Sequence, residues 1–316
     1  MKKIQRDALL ADQAAVRSIL AEMHEGDVAG RSSFTSRLAD IERRLAQLGE
    51  VGESIGSIAL FFAGDPVVGS RSIDADFASK TIKVFQELVT KTIASEERGE
   101  LGERGPLPLR TPTALAVTDV VRGSFGFILE EGANNASFAD SAVKIALDQV
   151  TDVLAKTAAE DEEQFESAVE TLDPRLLVSL RTFFRTLDDS HAAMRIVEDE
   201  REEVLNAPAI RRGRLRVDEI HIVERDVDNI VGELIGLVPL GKRFEMRLQD
   251  TGQVIRGSVR ASLAQQYMSL IEEPDEKVVG RTWMTKMRIR EINERNKPPR
   301  LVYSLLGLIR QLPDEE

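Results

Sequence analysis

The chain has no cysteine, and this absence excludes several kinds of chemistry at once. Thiol nucleophiles, thiolate metal ligands and disulfide bridges all need a sulfur atom that the sequence does not supply. Histidine is also scarce: the three histidines are His24, His191 and His221, and they stand far apart. None has the paired spacing of a zinc site on a helix, so we predict neither a metal site nor a cofactor.

Long apolar runs and aromatic residues are scarce too. No run approaches the roughly 20 apolar residues that a membrane helix needs. The charged segment Met1 to Arg6 is not followed by the apolar stretch of a secretory signal, so we expect a cytoplasmic protein without a membrane partner. Aromatic residues make up 5% of the chain, which disfavours binding of single strands by base stacking.

Acidic residues outnumber basic ones, and the excess lies in the middle of the chain. The formal net charge is -12, of which residues 1–55 carry -1, residues 56–210 carry -13 and residues 211–316 carry +2. An acidic surface repels a phosphate backbone, so any phosphate contact is expected in the last third. The alternative is that the acidic helices are simply well solvated.

What the sequence does contain begins with two amphipathic helices in the first 50 residues. They are separated by a break over Gly26 to Ser33, where glycine allows the chain to reverse. The second helix has a stripe with the 3, 4, 3 spacing of a coiled-coil seam, formed by Leu38, Ile41, Leu45 and Leu48. We predict an αα-hairpin whose stripe packs on the protein itself, on a second copy or on a protein partner.

The remaining pattern predicts an α+β protein in four segments. The hairpin (1–53) precedes a small αβ domain with a mixed sheet (54–160), in which strand, helix, two strands and a helix follow one another. Residues 161–210 have a helical pattern throughout and are expected to be a helical connector. Residues 211–316 alternate as half-buried strands do and predict a small β-barrel-like domain.

Two short motifs resemble catalytic signatures and are better explained as turns. Gly64 and Gly69 have the spacing of a phosphate-binding loop, but the required lysine is replaced by Ser70-Arg71. Asp250-Thr-Gly252 has the tripeptide of aspartic proteases, yet a hairpin turn accounts for both its aspartate and its glycine. We predict no catalytic residue.

Five cations in the last third are the candidate ligands of an anion. Strand alternation places three of them on one side of the strand near Trp283 and two on one face of the preceding hairpin. If the strands are neighbours, they form a basic face for a nucleic-acid backbone, a phosphorylated ligand or an acidic protein surface. The alternative is that they pair with glutamates such as Glu245 across the strands, or dock onto the acidic middle. The five are Arg256, Arg260, Lys286, Arg288 and Arg290.

Three hypotheses of function follow. In the first, the chain is a non-enzymatic assembly or regulatory protein whose hairpin binds a protein partner or a second copy. Adaptors of bacterial multicomponent systems, including antiviral defence, are of this kind. In the second, the basic face binds nucleic acid. In the third, the chain is a nucleotide-handling enzyme centred on Gly64 to Asp76.

Overall fold

The α+β class expected from the sequence is confirmed. The computed structural model describes residues 2–24, 27–50, 56–69, 71–98, 113–121, 125–132, 141–270, 278–295 and 297–313. Within these stretches the chain divides into two compact units. The first is built mainly from residues before position 216, and the second from residues 216 onward.

The first unit starts with the predicted helical hairpin, α1 (Lys2–Glu22) and α2 (Val28–Glu50). The Asp27 side chain accepts a hydrogen bond from the Gly30 amide at 2.9 Å and so caps the start of α2. Arg31 of α2 donates to the carbonyl oxygens of Leu20 and Met23 near the end of α1. These bonds tie the two helices together where the chain turns.

A five-stranded sheet forms the body of the first unit, and its strand pairs are all antiparallel, so the prediction of a mixed sheet was wrong. Its central strand runs through the apolar segment Ile58 to Phe62, which is at most 4% exposed. The strands lie in the order β4-β5-β1-β6-β7, and a two-stranded ribbon, β2 with β3, follows β1. Their bounds are β1 Ser57–Gly64, β2 Val67–Val68, β3 Ser72–Ile73, β4 Leu115–Val121, β5 Phe125–Glu131, β6 Ala192–Glu198 and β7 Arg201–Leu205.

Five helices complete the αβ part of the chain. Phe62 of β1 packs edge-on against Phe77 of α3, with ring centroids 5.4 Å apart. Phe85 of α3 meets Phe183 of α6 at 6.3 Å. Aromatic contacts of this kind hold α3 and α6 over the central strand. The helices are α3 Ala75–Arg98, α4 Ala142–Ala158, α5 Glu162–Thr171, α6 Pro174–Asp189 and α7 Ala207–Glu219.

The segment 161–210 is not helical throughout, and that prediction was wrong over its last third. Helix ends at Asp189, and β6 and β7 form a hairpin. The acidic run Glu198 to Glu203, which lies in the segment predicted to be helical, contains the turn of this hairpin, and Asp199 there has a positive φ of 46°. Asn206 then caps α7 by accepting from the Ala209 amide at 3.0 Å, so a helix begins where we expected one to end.

The second unit is a closed five-stranded barrel, which confirms the predicted barrel-like domain. The strands close in the order β10-β12-β11-β8-β9. Neighbours are antiparallel except β10 and β12, which are parallel, and a helix separates the third strand from the fourth. This connectivity is that of the OB-fold, a Greek-key barrel. The elements are β8 His221–Val238, β9 Arg243–Leu248, β10 Val254–Val259, α8 Ala261–Leu270, β11 Thr282–Asn293 and β12 Arg300–Gln311.

The barrel interior is filled by apolar side chains from all five strands, among them Leu234, Phe244, Ile255, Met287 and Leu305. Closure depends on the parallel pair, in which Gly257 of β10 lies opposite Tyr303 of β12. A Cβ atom on residue 257 would overlap the carbonyl oxygen of Tyr303 and press on the Phe244 ring. Glycine is therefore required at this position for the two backbones to approach.

Among the described helices, none is both long and apolar enough to cross a lipid bilayer.

Replacement of Gly257 by alanine is expected to destabilise the barrel by about 2 kcal/mol or more, because the backbone of β12 must move away. The matched control is Gly307→Ala in β12, where a new Cβ meets nothing within 4 Å. Trp283, the single tryptophan, packs on the barrel interior, so its fluorescence during urea unfolding reports on this unit. Equal unfolding midpoints for the two variants would contradict the closure argument.

Candidate functional site

Three of the five predicted cations form an ion-pair ladder across two strands of the barrel. Lys286, Arg288 and Arg290 of β11 lie directly opposite three carboxylates of β8 in the strand register. The pairs are Lys286 with Asp228 at 3.4 Å, Arg288 with Asp226 at 2.5 and 3.0 Å, and Arg290 with Glu224 at 2.5 Å. Alternation did place the three cations on one face, and the same two-residue period places their acidic partners beside them.

The ladder becomes less exposed toward the start of β8. The side chains of Lys286 and Asp228 are 43% and 58% exposed, whereas those of Arg290 and Glu224 are 6% and 14% exposed. The hydrogen bond from Arg288 lowers the pKa of Asp226, although partial burial acts in the opposite direction. Cations held in this way are already neutralised by the protein, so an incoming anion would have to displace a carboxylate.

The other two predicted cations lie elsewhere on the barrel. Arg256 of β10 is opposite Glu245 of β9 and 2.8 Å from it, which is the predicted alternative of cross-strand pairing, but the Arg256 side chain is 75% exposed. Arg260 follows β10, where its amide donates to the carbonyl oxygen of Leu305 at 3.0 Å. Arg260 is exposed, and its charge contributes to the lowered pKa of Asp226.

Two further cations, which are not among the five predicted ones, join Arg260. The turn between β8 and β9 ends in Lys242, whose carbonyl oxygen accepts from the Val259 amide at 2.8 Å. Arg243 follows and lies opposite Ser258 in the register of β9 and β10. The backbones of Lys242, Arg243 and Arg260 therefore lie at one end of the β9–β10 pair, and we call these residues the cationic cluster.

All three side chains of the cationic cluster are exposed. Within the described stretches, none has a carboxylate at ion-pair distance. The sequence signal that could have revealed the cluster was Gly241-Lys-Arg243 directly before an alternating strand. That signal indicates a cluster only when the register of β9 and β10 is known, because this register places Arg260 at the same end of the strand pair.

The predicted hairpin stripe is used inside the hairpin. Ile41 is buried, and Leu38 and Leu45 are half-buried, while the side chain of Leu48 lies outside the described residues. Polar bonds between the helices flank this seam, with Arg17 to Glu42 at 3.1 Å and Arg37 to Asp12 at 3.6 Å. Binding of a partner or second copy by this stripe stays a prediction, and it would require the hairpin to open or to use its outer faces.

Neither turn motif forms a phosphate-binding or catalytic site among the described residues. Asp74 accepts from the Phe77 amide at 2.8 Å, so its own carboxylate occupies the start of α3, where a phosphate would bind. Asp250-Thr-Gly252 is the turn of the β9–β10 hairpin, with Gly252 at a positive φ of 67°. Ser70 lies outside the described residues.

Among the described residues, Glu198 at the end of β6 has the pKa that lies furthest from its ordinary value. Burial, followed by the nearby charge of Asp148, raises its pKa to about 7. Thr151 of α4 donates to it at 3.2 Å, whereas Arg201 bonds Asp148 and Glu203 instead. Glu198 is only 6% exposed and is poorly placed to contact a substrate. We therefore attribute its raised pKa to packing under the β6–β7 turn and not to catalysis.

No family model, curated protein or solved structure matches the chain.

Glu198 predicts how the first unit responds to pH. Its folded pKa lies above the unfolded value of 4.5, so its contribution to stability is complete below pH 4.5 and is lost as the pH rises through about 7. Between pH 5.5 and 8.5 the loss should be about 2 kcal/mol, from 1.36 kcal/mol per pKa unit. Glu198→Gln should abolish this difference in circular dichroism unfolding curves, whereas the exposed control Glu163→Gln should retain it.

The ladder predicts unequal costs for two matched substitutions. Glu224→Gln leaves the buried Arg290 without its carboxylate and should lower the free energy of unfolding by about 3 kcal/mol. Asp228→Asn breaks the exposed pair with Lys286 and should cost less than about 1 kcal/mol. Urea unfolding monitored by Trp283 fluorescence measures the free energy of unfolding of both variants. Similar losses in the two would show that burial does not determine how much each ion pair stabilises the barrel.

Proposed function

We propose that the C-terminal barrel binds single-stranded nucleic acid through its phosphate backbone at the cationic cluster. The observation that carries the proposal is the placement of Lys242, Arg243 and Arg260 at one end of the β9–β10 pair, exposed and without ion pairs among the described residues. Barrels with this connectivity bind oligonucleotides on the face of their second and third strands and on the adjoining loop. Those strands are β9 and β10 in this chain.

The chemistry of the cluster suits phosphate. An arginine guanidinium offers parallel N–H donors to two phosphate oxygens, and a lysine ammonium adds a compact positive charge. Arg256 extends the cluster along β10, since its exposed pair with Glu245 contributes little and can be exchanged for a phosphate contact. The acidic middle of the chain repels polyanions, which agrees with a contact confined to the last third.

The same surface favours backbone contact over base recognition. The outward positions of β9 and β10 hold charged, small or aliphatic residues, and Phe244 points into the interior. Without aromatic rings at these positions, bases cannot stack on the face itself. The expected binding is therefore strongly salt-dependent and little affected by base sequence.

The other two hypotheses have less support. The assembly hypothesis depends on a stripe in which Ile41 is already buried within the chain, and the nucleotide hypothesis depends on a helix start that Asp74 occupies. Protein-partner binding at the outer faces of the hairpin is compatible with nucleic-acid binding at the barrel, because different residues are involved.

Salt dependence tests the proposal directly. For a labelled 20-nucleotide oligothymidine, the logarithm of the association constant should fall as the logarithm of the salt concentration rises. The expected slope is about -2, since each of the three cluster cations contributes about 0.7. The double variant Lys242→Ala/Arg243→Ala should reduce the magnitude of the slope by about 1.4 and weaken binding at least about tenfold at low salt. Fluorescence anisotropy provides both quantities.

Arg71→Ala is the matched control, because Arg71 is an exposed arginine of the first unit without an ion pair among the described residues. It should leave the slope unchanged, and unaltered Trp283 emission should show that each variant keeps its barrel. A slope that is unaffected by the double variant, or changed as much by the control, would rule out the cationic cluster as the binding site.

A further inference from the structure

The turn between β8 and β9 presents an apolar side chain directly beside the cationic cluster. Leu240 is 88% exposed, more than any other large hydrophobic residue of the described chain. Val238, two residues earlier, is also exposed. A single exposed apolar residue is ordinary on a protein surface. The position of Leu240 beside Lys242 and Arg243, which have no ion pair in the described stretches, is what sets it apart.

The turn is held by backbone hydrogen bonds at its base. The Lys242 amide donates to the carbonyl oxygen of Pro239 at 3.1 Å, and the Val259 amide donates to the carbonyl oxygen of Lys242 at 2.8 Å. Lys242 has a left-handed φ of 47°, which is unfavourable for a residue with a side chain. Pro239 further restricts the backbone. Leu240 is therefore presented at a supported tip and does not fold back onto the barrel.

We infer that Leu240 packs against an unstacked base of the strand whose phosphates the cationic cluster binds. The inference rests on the proposed function and specifies its ligand as a strand with unpaired, accessible bases. Apolar side chains placed between bases serve this purpose in other nucleic-acid complexes. The β9–β10 face has no aromatic ring for stacking. Of the two exposed apolar residues beside the cluster, Val238 and Leu240, the more exposed is Leu240.

The alternative occupant of such a tip is an anionic lipid surface, with leucine in the acyl region and cations at the headgroups. One leucine buries too little apolar area for stable attachment to a bilayer, since even a whole acyl chain binds only marginally. A base offers a flat apolar surface of similar size to the leucine side chain, directly next to a phosphate. The observations therefore favour a nucleic-acid strand.

The test compares two ligands that differ only in their bases. One is a 20-nucleotide oligothymidine, and the other is an abasic strand of the same length, with the same sugar-phosphate backbone. Leu240→Ala should weaken binding of the oligothymidine about fivefold to tenfold, since part of a leucine is no longer buried, and should leave binding of the abasic strand unchanged. Leu240→Trp should tighten binding of the oligothymidine alone.

Val223→Ala is the matched control, since Val223 is an exposed apolar residue near the opposite end of β8 and should affect neither ligand. If the wild-type protein binds both strands but Leu240→Ala changes neither affinity, the inference about the tip is overturned while the proposed function stands. If the wild-type protein binds neither strand, the proposed function itself fails. Binding to phosphatidylserine vesicles that Leu240→Ala abolishes, without binding to either strand, would overturn both.

Discussion

The close approach of β10 and β12 is the constraint on which the second unit depends. These two strands run parallel, and their backbones can meet only because residue 257 has no Cβ to collide with the carbonyl oxygen of Tyr303. The end of β10 lies against the turn that precedes β9, because β9 and β10 pair as an antiparallel hairpin. In that hairpin the Val259 amide donates to the carbonyl oxygen of Lys242, which places the backbone of Arg260 beside the two cations at the start of β9. Both strands of that hairpin belong to the barrel that Gly257 allows to close.

Residues of the same type have opposite roles on this barrel, and strand register decides between them. Arg288 and Arg290 lie opposite carboxylates two residues apart on β8, and the resulting ion pairs hold β8 to β11. Arg243 lies opposite Ser258, which cannot neutralise it. An ion pair between neighbouring strands therefore stabilises the barrel, while an arginine without such a partner remains available to a ligand.

Periodicity allowed much of the fold to be predicted. The buried β1 strand, the amphipathic α3 and the alternating β9 and β10 each have a pattern that survives without any tertiary contact. The prediction failed between Ala192 and Leu205, because a run of acidic residues at a hairpin turn has the same composition as a solvated helix face. The long β8 was obscured in a similar way, since its outward positions carry Glu224, Asp226 and Asp228, which are poor strand formers in isolation. Pairing with the cations of β11 offsets that poor propensity, and a single strand cannot reveal its partner.

The candidate site, like the fold, could be predicted only in part from the sequence. The sequence by itself determined the excess of acid in the middle, the absence of thiol chemistry, the apolar stripe of the hairpin and the cationic character of the last third, because these are properties of composition and of neighbours along the chain. Tertiary structure decided which cations are paired, that the stripe faces α1, and that Lys242, Arg243 and Arg260 share one end of the barrel. Those outcomes depend on how helices and strands pair with one another, and in a strand pair a shift of one residue in register would turn each side chain to the other face.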